Sequence, residues 1–293
     1  MKLRFLLPLA LLLLASTGCV TLDMLLQVQP DGSGRLNTEI RIQNAFLQLA
    51  EGMVGAGGST SGDAGIFSEA NLLKMAKGLG PGAELISHEP VEDPYTSGVK
   101  AVFAIPDVRA MSFDAVPVAP NRNTQGTVDL EQGDGRTTLL LTFPAPEEAS
   151  GKPLLQGADV EGMKDLLTGL KINLAVQVPG KILETNSPFA SGDQVTVAAL
   201  DLDQLLADPE GIATLTSASA STIAQVGELL NGFAGVRFHP EEELRVVYQT
   251  PKGAKLKPAP KAPSTAQEPP APEAPKKPMA SEKPAQETEG GEG

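Results

Sequence analysis

The sequence predicts an α+β fold: a largely antiparallel sheet with helices packed on one face. Three observations carry that expectation. Two pairs of strand-like stretches flank Gly/Asp turns, at Pro30-Asp31-Gly32-Ser33-Gly34 and at Gln132-Gly133-Asp134-Gly135. Helical stripes are interspersed among the strands without the strict strand–helix alternation of a doubly wound sheet. Hairpin-like spacing recurs along the chain, which points to antiparallel pairing throughout.

Thr21 to Gln29 is an apolar-rich extended stretch, and Arg35 to Gln43 alternates, with Leu36, Thr38, Ile40 and Ile42 on one side and Asn37, Glu39, Arg41 and Gln43 on the other. Side chains of a strand point to opposite faces with period two, so this reads as a half-buried hairpin strand. Asp31-Gly32-Ser33-Gly34 lacks the further carboxylates and terminal Glu of a calcium loop and is turn chemistry. Residues 52–65 hold six Gly and read as a loop, within which Gly58-Ser59-Thr60-Ser61-Gly62 has Thr at its centre and no leading strand, unlike a nucleophile elbow. Ser68 is a candidate N-cap for a helix over Glu69 to Leu79, whose stripe of Phe67, Leu72, Leu73, Ala76 and Leu79 has helical spacing and which Gly80-Pro81 stops.

Ala83 to His88, running toward Val91, and Gly98 to Pro106 are strands, the second with Val99, Ala101, Phe103 and Ile105 on one face. Thr127 to Glu131 and Thr137 to Phe143 form the second hairpin. Asp159 to Thr168 reads as a short helix ended by Gly169. Leu170 to Val178 alternates, with Ile172, Leu174, Val176 and Val178 sharing a face, and Pro179-Gly180 then turns the chain. Lys181 to Glu184 and Gln194 to Leu200 are further strands on either side of the Thr185-Asn186-Ser187-Pro188 turn. Asp201 to Ala207 is a helical turn, Ser221 to Phe233 a helix, and Leu244 to Tyr248 a closing strand.

The termini say where such a domain resides. Lys2 and Arg4 precede an apolar run from Phe5 to Ala15 that spans ~16 Å as a helix, too short for a ~30 Å hydrocarbon core and suited to an export signal. Ser16-Thr17-Gly18-Cys19 then resembles a bacterial lipobox, which implies cleavage after Gly18 and a diacylglycerol thioether on Cys19. Cys19 is the chain's only cysteine, and an exported chain with one cysteine otherwise carries an unpaired thiol. Acyl chains at about 0.8 kcal/mol per buried CH₂ hold a body at a bilayer without a spanning helix. Val20, not Asp, follows the cysteine, which in a diderm bacterium of the enteric pattern favours the outer membrane. The signal is thus 1–18, the envelope domain 19–250 and the tail 251–293. Ten of the 25 prolines lie in that tail, with Leu256 and Met279 as its only large apolar side chains, so its composition reads as disordered and partly polyproline-like. It reads first as a solvated tail without a fixed partner, with a spacer, a cell-wall-associated arm or a docking segment as the alternatives.

Composition excludes some functions. The net charge is −13 and aromatic residues make up 4%, so neither a basic face for nucleic acid nor a stacking platform is expected. Two His and one Cys cannot build a Cys/His metal cage, and no cofactor is implied. His88 and His239 each lack a carboxylate-and-nucleophile partnership. Ser97 and Lys100 match Ser-x-x-Lys, but on a strand their side chains face opposite ways. Asp201-Leu202-Asp203 reads as a helix start and Glu241-Glu242-Glu243 as a solvated run.

Several pieces together resemble the LppM-type bacterial lipoproteins: the lipobox cysteine followed at once by a strand, the Pro30 to Gly34 hairpin, and the Tyr95-Thr96-Ser97-Gly98-Val99 entry to a strand. The longest piece is Val176-Gln177-Val178-Pro179-Gly180-Lys181-Ile182-Leu183-Glu184-Thr185-Asn186, followed by a turn and the Gln194 to Ala198 strand. The resemblance implies an envelope-facing α+β domain, a curved sheet closed by a helix, with a role in lipid or envelope interactions and no agreed catalytic residues. The expectation is a non-catalytic, lipid-anchored envelope protein that binds a lipidic or apolar ligand or serves as an interaction module. A ligand site would lie between sheet and helix, lined by residues such as Phe103, Ile105, Leu174, Val176, Leu229 and Phe233. The alternative is a carboxylate-dependent envelope hydrolase, which requires buried carboxylates converging on an open cleft.

Overall fold

In the computed structural model the described residues are 20–44, 47, 67–111, 113–114, 125–143, 168–217 and 223–258. The export signal and Cys19, the Gly-rich loop at 52–65, the helix expected from Asp159 and the tail beyond Pro258 lie outside them. By compactness the chain divides after Pro260, and the account below concerns the first unit.

β1 (Val20–Val28) and β2 (Gly34–Gln43) form the expected hairpin, paired from Val20↔Ile42 to Val28↔Gly34. Its turn is held by Asp31, whose Oδ1 accepts from the Ser33 amide at 3.0 Å and the Ser33 hydroxyl at 2.6 Å, with Gly32 at φ 85°. A left-handed residue is needed at that point, and only glycine takes it without a Cβ penalty. α1 (Glu69–Gly78) follows; Ser68 occupies the N-cap position, but its side chain makes no capping hydrogen bond. β3 (Glu84–Glu92) and β4 (Thr96–Ile105) come next, then a 3₁₀ turn (Val108–Ala110) and the short β5 (Phe113–Asp114). β6 (Gln125–Gly133) and β7 (Arg136–Thr142) are the second hairpin, with Asp134 at φ 51° and Gly135 at φ 72°. Positive φ at both central residues defines the primed turn whose twist matches that of paired strands.

β8 (Lys171–Gln177), β9 (Ile182–Thr185), β10 (Ala190–Ser191) and β11 (Gln194–Asp201) lead into three helices. These are α2 (Leu202–Leu206), α3 (Pro209–Ser217) and α4 (Ile223–Leu230), before β12 (Val236–Phe238) and β13 (Glu243–Gln249). α3 and the short strands β5, β10 and β12 were not expected from sequence.

Two features differ from the single antiparallel sheet expected. First, the strands divide into two sheets, β10-β11-β8-β1-β2-β4-β3 with β12 beside β11, and β5-β6-β7-β13-β9. Second, β1 pairs parallel with β8, from Thr21↔Lys171 to Gln27↔Gln177. Parallel neighbours need a long crossover, so no hairpin signal could announce this pair. One of the chain's passages between the sheets, from β8 to β9, runs through Pro179-Gly180. Gly180 lies against the backbone of β13, where a Cβ would run into the Gln249 carbonyl oxygen.

The main core is one cluster drawn from both sheets. Leu26 and Val28 of β1, Leu36 of β2 and Val99, Ala101, Phe103 and Ile105 of β4 pack with Val128, Leu130, Leu139, Leu141, Leu244, Val246 and Tyr248 of the second sheet. α1 adds Leu72 and Ala76 to the same cluster. A smaller cluster of Leu202, Leu205, Leu206, Leu230 and Val236 lies among α2, α4 and β12. Irregular registers at Leu85/Ser87, Thr196/Ala198 and Val247/Tyr248 interrupt the ladders of β3, β11 and β13. Such bulges bend a strand and increase its local twist.

Candidate functional site

The six apolar residues singled out from sequence do not share one surface. Phe103 is 0% exposed, and Ile105 and Val176 are buried with it between the sheets; Leu174 is half-buried against the same cluster. Phe233 packs against the separate helical cluster, and Leu229 on α4 is 38% exposed. Four of the six are therefore brought together as interior packing, and two stand apart from them.

The second sheet builds a different feature on its outer face, an open concavity of about 600 Å³. Its centre is a row of cross-strand neighbours: Glu131 on β6 opposite Thr138 on β7, Thr138 opposite Val247 on β13, and Val247 opposite Glu184 on β9. Alternation explains the row, because Leu130, Leu139 and Val246 point inward and their chain neighbours must then point out. Arg245 reaches Glu184 at 3.1 Å, and Asp134 and Arg136 of the hairpin turn close one end. The three carboxylates and two guanidiniums suit polar contacts made in water. The lining includes no His and no Cys, and its carboxylates are exposed.

The residues weighed for chemistry have structural partners. Asp201 caps α2, with Oδ1 accepting from the Gln204 amide at 3.4 Å, and it meets Lys171 at 3.1 Å. Burial pushes its carboxyl up, but hydrogen bonds from Lys171 and Gln204 leave it below the ordinary Asp value on balance. Asp203 accepts from the Gly169 amide. Ser97 donates to Asn44 at 2.6 Å, while Lys100 projects from the other face toward Glu39. His239 is buried; its Nε2 lies 2.9 Å from the Glu243 carbonyl oxygen and its Nδ1 has no partner among the described residues. His88 is exposed on β3. Glu241, Glu242 and Glu243 are exposed, and Asn186 brackets that segment by donating to Glu241 at 2.7 Å and accepting from the Arg245 amide at 2.8 Å. No Asp or Glu is buried, and no three His, Cys, Asp or Glu converge on a metal position, among the described residues.

A further element escaped sequence reasoning. Residues 251–258 lie along the body as a strap, past the boundary that composition places at 250. Leu256 packs against the main core beside Gly32. Lys257 meets Asp31 at 2.9 Å, and its amide donates to the Asp31 carbonyl at 3.0 Å. Arg109 donates to the carbonyls of Lys257 at 2.8 Å and Pro258 at 3.2 Å, while pairing with Asp107 at 2.6 Å. Hydrogen bonds from Ser33, assisted by Lys257, hold the Asp31 carboxyl down at about 2. The lone apolar Leu256 within a polar, Pro-rich run was the one available signal for the strap.

These elements define a two-sheet α+β domain with an open polar outer face and a C-terminal strap. No protein-family model and no curated protein matches the chain. Among solved structures it is similar to the folded domain of Mycobacterium tuberculosis LppM, determined by NMR, at 8% identity and a TM-score of 0.29, covering 80% of this chain and 91% of that one.

Proposed function

We propose that the protein is an exported, lipid-anchored module of the bacterial envelope that acts by presenting a surface, without catalysis. One observation carries the reading: β1 begins at Val20, the residue immediately after the lipobox cysteine. Diacylglycerol on Cys19 therefore places the folded body itself at the bilayer, and the acyl chains supply the hold. No helix among the described residues is long and apolar enough to cross a membrane. An outer-membrane position fits Val20 after the cysteine if the cell is diderm, and the tail serves as an arm toward an envelope protein or the cell wall.

The apolar-ligand form of this reading would use Phe103, Ile105, Leu174 and Val176, and it requires the two sheets to part, because those side chains fill the space between them. The open outer face needs no such rearrangement and is the better-supported surface. The hydrolase alternative draws least support, since the carboxylates of the concavity are exposed. The test is metabolic labelling with a palmitate analogue in cells expressing the parent and Cys19→Ser. The reading expects label on the parent alone and loss of the variant from the membrane fraction. Equal membrane partitioning of an unlabelled parent and the variant would refute it.

A further inference from the structure

The nine residues of β1 join two poles of the first sheet. At the starting pole lie Val20, its partner Ile42 on β2, the Asp93-Pro94-Tyr95 turn between β3 and β4, Lys171 at the start of β8, and Asp201 at the end of β11. At the far pole lie Val28, the Asp31-Gly32 turn, Ile105 and the strap residues Leu256 and Lys257. At about 3.3 Å per residue the poles are roughly 27 Å apart.

We infer that the starting pole, with Tyr95 at its tip, is the face that rests on the lipid headgroups, and that the strap at the opposite pole is held away from them. This rests on the membrane anchorage proposed above. The argument is one of reach. Consecutive Cα atoms are about 3.8 Å apart, and no spacer separates residue 19 from the sheet, so a membrane-held Cys19 cannot let this pole swing away. Tyr95 is 53% exposed, although the Asp93 side chain orders its turn by accepting from the amides of Tyr95 and Thr96, each at 2.8 Å. The Tyr95 carbonyl in turn accepts from the Asn44 amide at 2.8 Å, next to the end of β2. A rigidly presented, exposed tyrosine matches the preference of that amphipathic ring for the membrane–water interface. The charged groups at this pole are not a basic patch, as Arg41 pairs with Glu39 and Lys171 with Asp201. Contact with the bilayer is therefore imposed by the tether, and anionic lipid is not needed for it.

The chain contains no Trp, so a single substitution gives a unique reporter. The experiment uses the full-length, membrane-extracted protein carrying Tyr95→Trp or, at the far pole, Lys255→Trp, a position exposed on the strap. Each is reconstituted into phosphatidylcholine vesicles with and without brominated acyl chains, and flotation is measured on the same samples. The expected result is that both proteins float, that Tyr95→Trp loses about half its emission in brominated vesicles, and that Lys255→Trp loses almost none, since a ring near the headgroups meets the upper acyl carbons. Flotation with no quenching of Tyr95→Trp, or with stronger quenching of Lys255→Trp, overturns the pole assignment and leaves the anchorage intact. Failure of both proteins to float overturns the anchorage and this inference with it.

Discussion

Replacing Phe103 with Ala separates a filled interior from a ligand-lined one. Phe103 is fully buried near the C-terminal end of β4, between Leu36 on β2 and Leu85 on β3. Truncation to Ala removes the whole ring. Withdrawing that apolar surface costs about 2–3 kcal/mol, and a residual void of roughly 70 Å³ adds about 1.7 kcal/mol at ~24 cal/mol per Å³. The total, about 4 kcal/mol, falls within the usual range for buried Phe→Ala changes. For a domain of this size it corresponds to a melting temperature lower by roughly 8–16 °C. The assay is equilibrium urea unfolding of the Cys19→Ser protein, followed by circular dichroism, with and without Phe103→Ala. A ring that bordered a ligand space would lose contacts on one side only. A cost below about 1 kcal/mol with a native spectrum would refute the packed-interior reasoning and restore the ligand site between the sheets.

Two further outcomes follow from the strap. Leu256→Ala is expected to cost about 1 kcal/mol, part of the value of a fully buried Leu, and to speed tryptic cleavage at Lys252 and Lys255. A chain ending at Pro258 should melt like the full length, and one ending at Thr250 several degrees lower; equal melting of the two would mean that the strap does not dock. Asp31 gives a pH dependence of known sign. Its folded-state pKa, about 2, lies below the ordinary 3.8, so its contribution is present above about pH 4 and is lost as the pH falls through about 2. Because the carboxylate is nearly half exposed, solvent screening holds that contribution below about 1 kcal/mol. Asp31→Asn should flatten the stability profile between pH 4 and pH 2 relative to the parent, and an unchanged profile would remove the assigned role.

Much of the local structure was legible. The Asp31-Gly32 and Asp134-Gly135 turns, the alternation in β2 and β8 and the apolar stripe of α1 are written in neighbouring residues, since turn chemistry and side-chain period act within a few positions. The placement of Phe103, Ile105 and Val176 on inward faces was readable for the same reason. Their common burial between sheets, away from Leu229 and Phe233, was not, because alternation gives a face and leaves its partner open. The concavity was likewise invisible: Glu131, Thr138, Val247 and Glu184 come from four strands scattered along the chain and meet only through register.

By itself, then, the amino-acid order determined the antiparallel hairpins, the helical stripe of α1 and an acidic composition. Only the tertiary structure decided the parallel β1–β8 pair, the division into two sheets, and the docking of Leu256 and Lys257 onto the Asp31 turn. The physical reason is distance along the chain. Arg109 and the Lys257 carbonyl it grips are 148 residues apart, and a contact of that kind is selected by the packing of the whole body.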